Sequence, residues 1–187
     1  YQSISKTKTF TPASRNKEYI FAQLTKNLEN AFIKVRRHGL AARWVRIFLK
    51  TQEFRYTGIE VVLNRHTAFP TEVIPVVRKL FEELFDPTID YRATGVILSH
   101  MQTGEHIQRT LFEGPLQITE SRCLYAAIDA AAKKFGKHAV FLGSSLPVHS
   151  SPDYRQRERR KASNQEHTIR GFHGRQFLGF PLLGEVA

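Results

Sequence analysis

Cysteine is almost missing from these 187 residues: Cys123 stands alone, so no internal disulfide can form and no thiolate pair can seed a zinc site. Long apolar runs are missing too. No stretch approaches the roughly 18 residues that would span a bilayer, and Tyr1 to Phe10 is polar and basic, unlike a signal peptide. With 11 Gly and 8 Pro against 41% hydrophobic residues, collagen-like, mucin-like and wholly disordered chains are excluded. The expectation is a soluble protein of a reducing compartment. Acid is also scarce. Seventeen Asp and Glu face 28 Lys and Arg, a formal net charge of +11, which is the electrostatic footprint of a protein whose partner is a polyanion, nucleic acid foremost. The excess is not confined to the tail, because Tyr1 to Met101 alone holds sixteen Lys and Arg against nine acids. The chain opens at Tyr1 without Met, directly in a strand-like run, as a piece of a longer protein would.

Hydrophobic periodicity sets out the elements. Tyr1 to Phe10 alternates as a strand, ended by Thr11 and Pro12. Ser14 or Thr11 is placed to cap a long helix in which Ile20, Phe21, Leu24, Leu28, Ala31, Phe32 and Val35 recur at three and four, stopping at Gly39. Ala42 to Phe54 alternates, a turn follows near Arg55 to Gly58, and Ile59, Val61 and Leu63 alternate again to complete a hairpin. Pro70 and Thr71 open a second helix, with Pro75 assigned to its first turn and Ile74, Val77, Leu80, Phe81, Leu84 and Phe85 as its buried stripe. Asp86 and Pro87 stop it, and Arg92 to Met101 is the last strand. The order β-α-β-β-α-β predicts an α+β fold, a split βαβ or ferredoxin-like sheet with two helices on one face and a small C-terminal helical extension.

The other face is then free to bind. Val45, Ile47 and Leu49 point to the helices, so Trp44, Arg46, Phe48 and Lys50 line the open side. Ile4 and Phe10 mark the buried side of the first strand, which puts Ser3, Ser5, Thr7 and Thr9 on the open face. The same parity turns Lys6 and Lys8 inward and implies a bulge or frayed edge. A row of Arg, aromatic and Lys residues suits a phosphate backbone.

Three segments in order, Ser3-Ile4-Ser5-Lys6-Thr7-Lys8-Thr9-Phe10, Gly39-Leu40-Ala41-Ala42-Arg43 and Tyr91-Arg92-Ala93-Thr94-Gly95-Val96, resemble the little finger domain of Y-family translesion DNA polymerases of the polymerase IV and V type. The resemblance covers about the first hundred residues. It implies a domain that grips primer-template duplex through its sheet, with Ser3, Ser5, Lys6, Thr7, Lys8 and Arg92 on the phosphates. Charge and strand parity add Arg43, Arg46 and Lys50. Ile97 departs from relatives that carry a basic residue there. The resemblance also implies a parent DNA-directed DNA polymerase, a nucleotidyltransferase active in error-prone lesion bypass during the SOS response, with Mg2+ in a palm domain outside this chain. The acids here, Glu82-Glu83, Asp86 and Asp90, suit a helix surface and turn, so no catalytic residue and no cofactor is expected in this chain. The implied location is the bacterial cytoplasm, at the nucleoid.

Residues 1–101 form the expected DNA-binding domain, and 102–118 a linker. Within that linker, Gln108-Arg109-Thr110-Leu111-Phe112 looks like the bacterial sliding-clamp-binding pentapeptide, in which Leu111 and Phe112 fill an apolar pocket while the Gln108 amide binds at the rim. Residues 119–187 form the extension. Thr119 is placed to cap a helix with Leu124, Ile128, Ala131 and Phe135 on one face, Gly136 ends it, and His138 to Leu142 is a candidate short strand. From Ser144 the chain turns polar, and Tyr154 to Lys161 is strongly basic, either a DNA-tethering arm or a solvated linker. The apolar Phe177 to Leu183 closes the chain. The eight histidines show no spacing that pairs two on a helix beside a carboxylate, so no metal site is expected.

The expected partners are duplex DNA and the sliding clamp, with no membrane and a monomeric chain. Two alternatives share the fold and charge: a ferredoxin-like RNA-binding module, although an RRM-type aromatic platform is not evident, and a noncatalytic polymerase-like recruitment subunit.

Overall fold

The computed structural model describes residues 2–103 and 115–150, with side chains of the second stretch from residue 119 on. Strands β1 (Ser3–Ser14), β2 (Leu40–Thr51), β3 (Tyr56–Thr67) and β4 (Tyr91–Thr103) are interleaved with helices α1 (Lys17–Arg37) and α2 (Pro70–Leu84). The strands pair antiparallel in the order β1-β4-β2-β3. Both βαβ units are therefore split, β4 lying between β1 and β2, and β2 between β3 and β4. This is the α+β class that periodicity predicts. Helix α3 (Pro115–Phe135), a 3-10 turn (Gly143–Ser145) and the short α4 (Leu146–His149) complete the described chain, all within the compact unit Tyr1–Ser150.

Helix α1 is built as its apolar spacing requires: Ile20, Leu24, Leu28, Ala31, Phe32 and Val35 are fully buried against Val45, Ile47 and Leu49 of β2 and Val96 and Leu98 of β4. Each such Leu or Phe contributes about 1.5–3 kcal/mol by leaving water. Its cap differs from expectation. Strand β1 runs on to Ser14 past a cis Thr11–Pro12 bond, so the first available cap is Asn16, whose Oδ1 accepts the Tyr19 N–H at 2.9 Å. The helix ends as predicted before Gly39, whose φ of +63° suits glycine.

Helix α2 starts with Pro70 at its first position, but Pro75 lies in the helix interior rather than the first turn. Its exposed position tolerates the missing hydrogen bond to the Thr71 carbonyl. Of the expected stripe Val77 and Phe81 are buried, with Val73 beside them, while Ile74, Leu80, Leu84 and Phe85 are half-buried against the core. At the helix end Asp86 Oδ1 accepts from the Thr88 N–H and hydroxyl at 2.8 and 2.6 Å, Asp90 takes the Arg15 fork at 2.7 Å on both arms, and Glu82 pairs with Lys17. These acids serve turns and ion pairs. The Arg15 hydrogen bond holds the Asp90 carboxyl below its ordinary range.

The extension docks on the helical side, and only in part through the apolar face expected of it: Ile128 and Ala131 are half-buried. Leu124 and Phe135 are 54% and 70% exposed, while Tyr125 is 4% exposed. Tyr125 stacks on Phe69 at 5.3 Å, and its hydroxyl reaches Thr71 Oγ1 at 3.3 Å. Asp129 accepts both arms of the Arg36 fork at 2.8 Å. Polar handles, invisible to an apolar count, chose the docking face. Helix α3 begins at Pro115 rather than Thr119, and His138 to Leu142 is irregular backbone with His138 at φ +67°, not a strand.

Candidate nucleic-acid interface

The sheet face opposite the helices consists of four complete cross-strand rows. Reading β1, β4, β2, β3, they are Ser3–Ser99–Trp44–Val62, Ser5–Ile97–Arg46–Glu60, Thr7–Gly95–Phe48–Gly58 and Thr9–Ala93–Lys50–Tyr56. Among the described residues the extension packs on the helices and leaves this side uncovered: Ser3, Ser5, Thr7, Thr9 and Arg46 are exposed. Glu60 is the single acid in the four rows. The face therefore offers a rail of hydroxyls along β1, cations along β2, and an aromatic floor between them.

The floor depends on Gly95. A Cβ there would lie 2.2 and 2.5 Å from the Phe48 ring and 2.9 Å from Thr7 Oγ1, so the ring lies flat across the glycine, where any other residue would lift it. Beneath this point Asn27 of α1 donates to the Thr94 carbonyl at 2.9 Å, tying the helix layer to the strand that carries Gly95. At one end of the face Trp44 stacks on His100 with ring centroids 4.2 Å apart. Close by, burial first and then Arg43 lower the pKa of His66, which favours a neutral ring.

At the other end Lys50 Nζ lies 4.8 Å from the Phe54 ring and 4.5 Å from that of Tyr56, and the Arg92 guanidinium lies 4.3 Å over Phe54. Arg92 reaches this cluster because it is the extra residue of a bulge: β4 pairs Lys50 with Ala93 but Thr51 with Tyr91. Sequence parity could not have shown that. Ser3, Ser5, Thr7, Arg46, Lys50 and Arg92 thus come together on or beside one face.

Three expected residues sit differently. Lys6 and Lys8 point to the helix side with the register unbroken from Ser3 to Thr9, and the irregularity of β1 lies beyond them, between Thr9 and Ser14. As residues of an edge strand they remain half-buried, with stems beside the helix layer and ammonium groups able to reach solvent. Arg43 is exposed beside a register shift between Ala42 and Trp44, and its Nε donates to the Leu63 carbonyl at 3.2 Å. It flanks the rows without joining them. Gln108, Leu111 and Phe112, and the basic Tyr154 to Lys161 segment, lie outside the described residues.

A twisted antiparallel sheet, padded by helices on one side and carrying hydroxyls and cations on the other, defines a module made to present a surface. The chain belongs to the impB/mucB/samB family, whose C-terminal domain matches residues 1–111; this is the little finger of Y-family DNA polymerases. DNA polymerase IV of Pelotomaculum thermopropionicum (strain DSM 13744 / JCM 10971 / SI) is 30% identical over 113 residues, 60% of this chain and 27% of that protein. The chain thus spans little more than a quarter of that curated relative. Among solved structures, DinB from Sulfolobus solfataricus is similar with a TM-score of 0.46 and 18% identity, over 52% of this chain and 28% of that one. The little finger domain of PolIV in complex with the β-clamp processivity factor gives 0.41 and 21%, over 59% and 99%.

Proposed function

We propose that this chain holds primer-template duplex DNA for an error-prone translesion polymerase and tethers that polymerase to the bacterial sliding clamp. The observation that carries the reading is the four-row face that the described residues leave uncovered, with Ser3, Ser5 and Thr7 on the edge strand and Arg46 and Lys50 on β2, one strand further in. Hydroxyls and cations on phosphates position a duplex without reading its bases, so affinity is nearly independent of sequence. Strand β1 is an edge strand, which leaves main-chain N–H groups available to phosphates as well. The segment Gln108 to Phe112 supplies the clamp contact. Polymerisation, with its Mg2+, belongs to the rest of the parent enzyme, which works in the cytoplasm at the nucleoid as part of the SOS response to DNA damage, with this region monomeric.

Trp44, Phe48 and Tyr56 on the same face favour one competing reading, single-strand RNA stacked on aromatic rings. Competition separates the two. Duplex DNA of any sequence should displace labelled duplex at lower concentration than single-stranded RNA of equal length, and preferential displacement by RNA would favour the alternative. The double variant Leu111→Ala, Phe112→Ala should lose clamp capture in a pull-down while keeping duplex affinity. Loss of both would place these side chains in the folded core instead.

A further inference from the structure

Glu29 of α1 is 6% exposed, deep against the extension. Its Oε1 accepts the Leu142 N–H at 2.5 Å, whereas Oε2 is buried without a hydrogen-bond partner. A buried carboxylate oxygen left in this state costs free energy unless a cation or proton meets it. His138 and His149 are the groups brought to it: one ligand atom from each of the three residues lies within 4.8 Å of the others. His149 is held in place by stacking on Phe141 at 4.1 Å and lies 5.1 Å from the His138 ring. A cavity of about 60 Å³ beside them is lined by Glu29, His138, Tyr125 and Phe141, and also by Arg36, whose charge is taken up by Asp129.

We propose that Glu29, His138 and His149 form a binding site for one divalent transition-metal ion of the zinc type, clasping the extension to α1. Two imidazoles and a carboxylate are an established zinc donor set, with the fourth position left to water. Tetrahedral coordination needs donor atoms about 3.4 Å apart, so modest side-chain rotations close the set. The Leu142 N–H on Oε1 orients the carboxylate from behind, as the partners of metal ligands commonly do, and leaves Oε2 to bind. No spacing rule finds the site, because its three residues come from a helix, a turn with a left-handed residue, and the four-residue α4.

The test uses the full 187-residue chain, stripped with chelator and titrated with ZnCl2 against a chromogenic competitor. One Zn2+ per chain is expected, with a rise in Tm. Glu29→Gln, which keeps an oxygen for the Leu142 N–H, should weaken binding at least tenfold and lose the zinc-dependent rise while its circular dichroism stays native. The double variant His138→Ala, His149→Ala should lose the site, and His38→Ala should keep it. Co2+ in place of Zn2+ should give the strong visible bands of a four-coordinate ion, absent in Glu29→Gln. No stoichiometric uptake by the unaltered chain, or uptake that survives the double His substitution, overturns the proposal.

Discussion

Gly95→Val should destabilise the protein by about 2 kcal/mol and weaken duplex binding in the same step, although valine is a better strand former than glycine. The reason is local. The new side chain would occupy the space where the Phe48 ring now lies, 2.2 Å from a Cβ at position 95. The ring must stand up from the sheet, leaving β4 and rising into the space where a phosphate rail would lie. Phe48→Ala in the same background should recover most of the added cost, because an absent ring cannot collide. A double-mutant cycle of chemical denaturation curves reads this directly as non-additivity. Additive losses would mean that the ring and the glycine are not coupled.

The double variant Arg46→Ala, Lys50→Ala should lower duplex affinity roughly 100-fold at physiological salt, on the basis of about 1.4 kcal/mol for each cation–phosphate pair. It should also flatten the dependence of log K on log salt by about 2, one unit for each phosphate no longer neutralised. The weakening should be nearly equal for duplexes of unrelated sequence. Both side chains project from the open face and are not in the core, so the melting temperature should hardly move. A weakening confined to certain sequences would mean base recognition and would contradict the backbone reading.

Where burial alternates cleanly, the sequence was a sufficient guide to structure. Val45, Ile47 and Leu49 are fully buried, and Trp44, Arg46, Phe48 and Lys50 project from the opposite face, because β2 is a central strand with a dry side and an open one. Parity put Lys6 and Lys8 on the helix side correctly, but why that is acceptable is seen only in three dimensions: β1 is an edge strand, and strand order cannot be read from alternation. Arg92 owes its place to a bulge. In α3 the apolar count favoured Leu124 and Phe135, but the surface available to it is Phe69, Thr71 and Arg36, which an aromatic hydroxyl and a carboxylate match better. The Glu29, His138, His149 cluster lies furthest from any sequence signal, since its first and second members are 109 positions apart.

The central claim is that a duplex lies on the uncovered side of the sheet, and amide chemical-shift mapping during titration with a short duplex tests it most directly. Amides of Ser3, Ser5, Thr7, Gly95 and Ile97 should move together and saturate at one equivalent, while those of α1 and α2 stay in place. Shifts concentrated on the helices, with the β1 and β4 amides unmoved, would contradict the account.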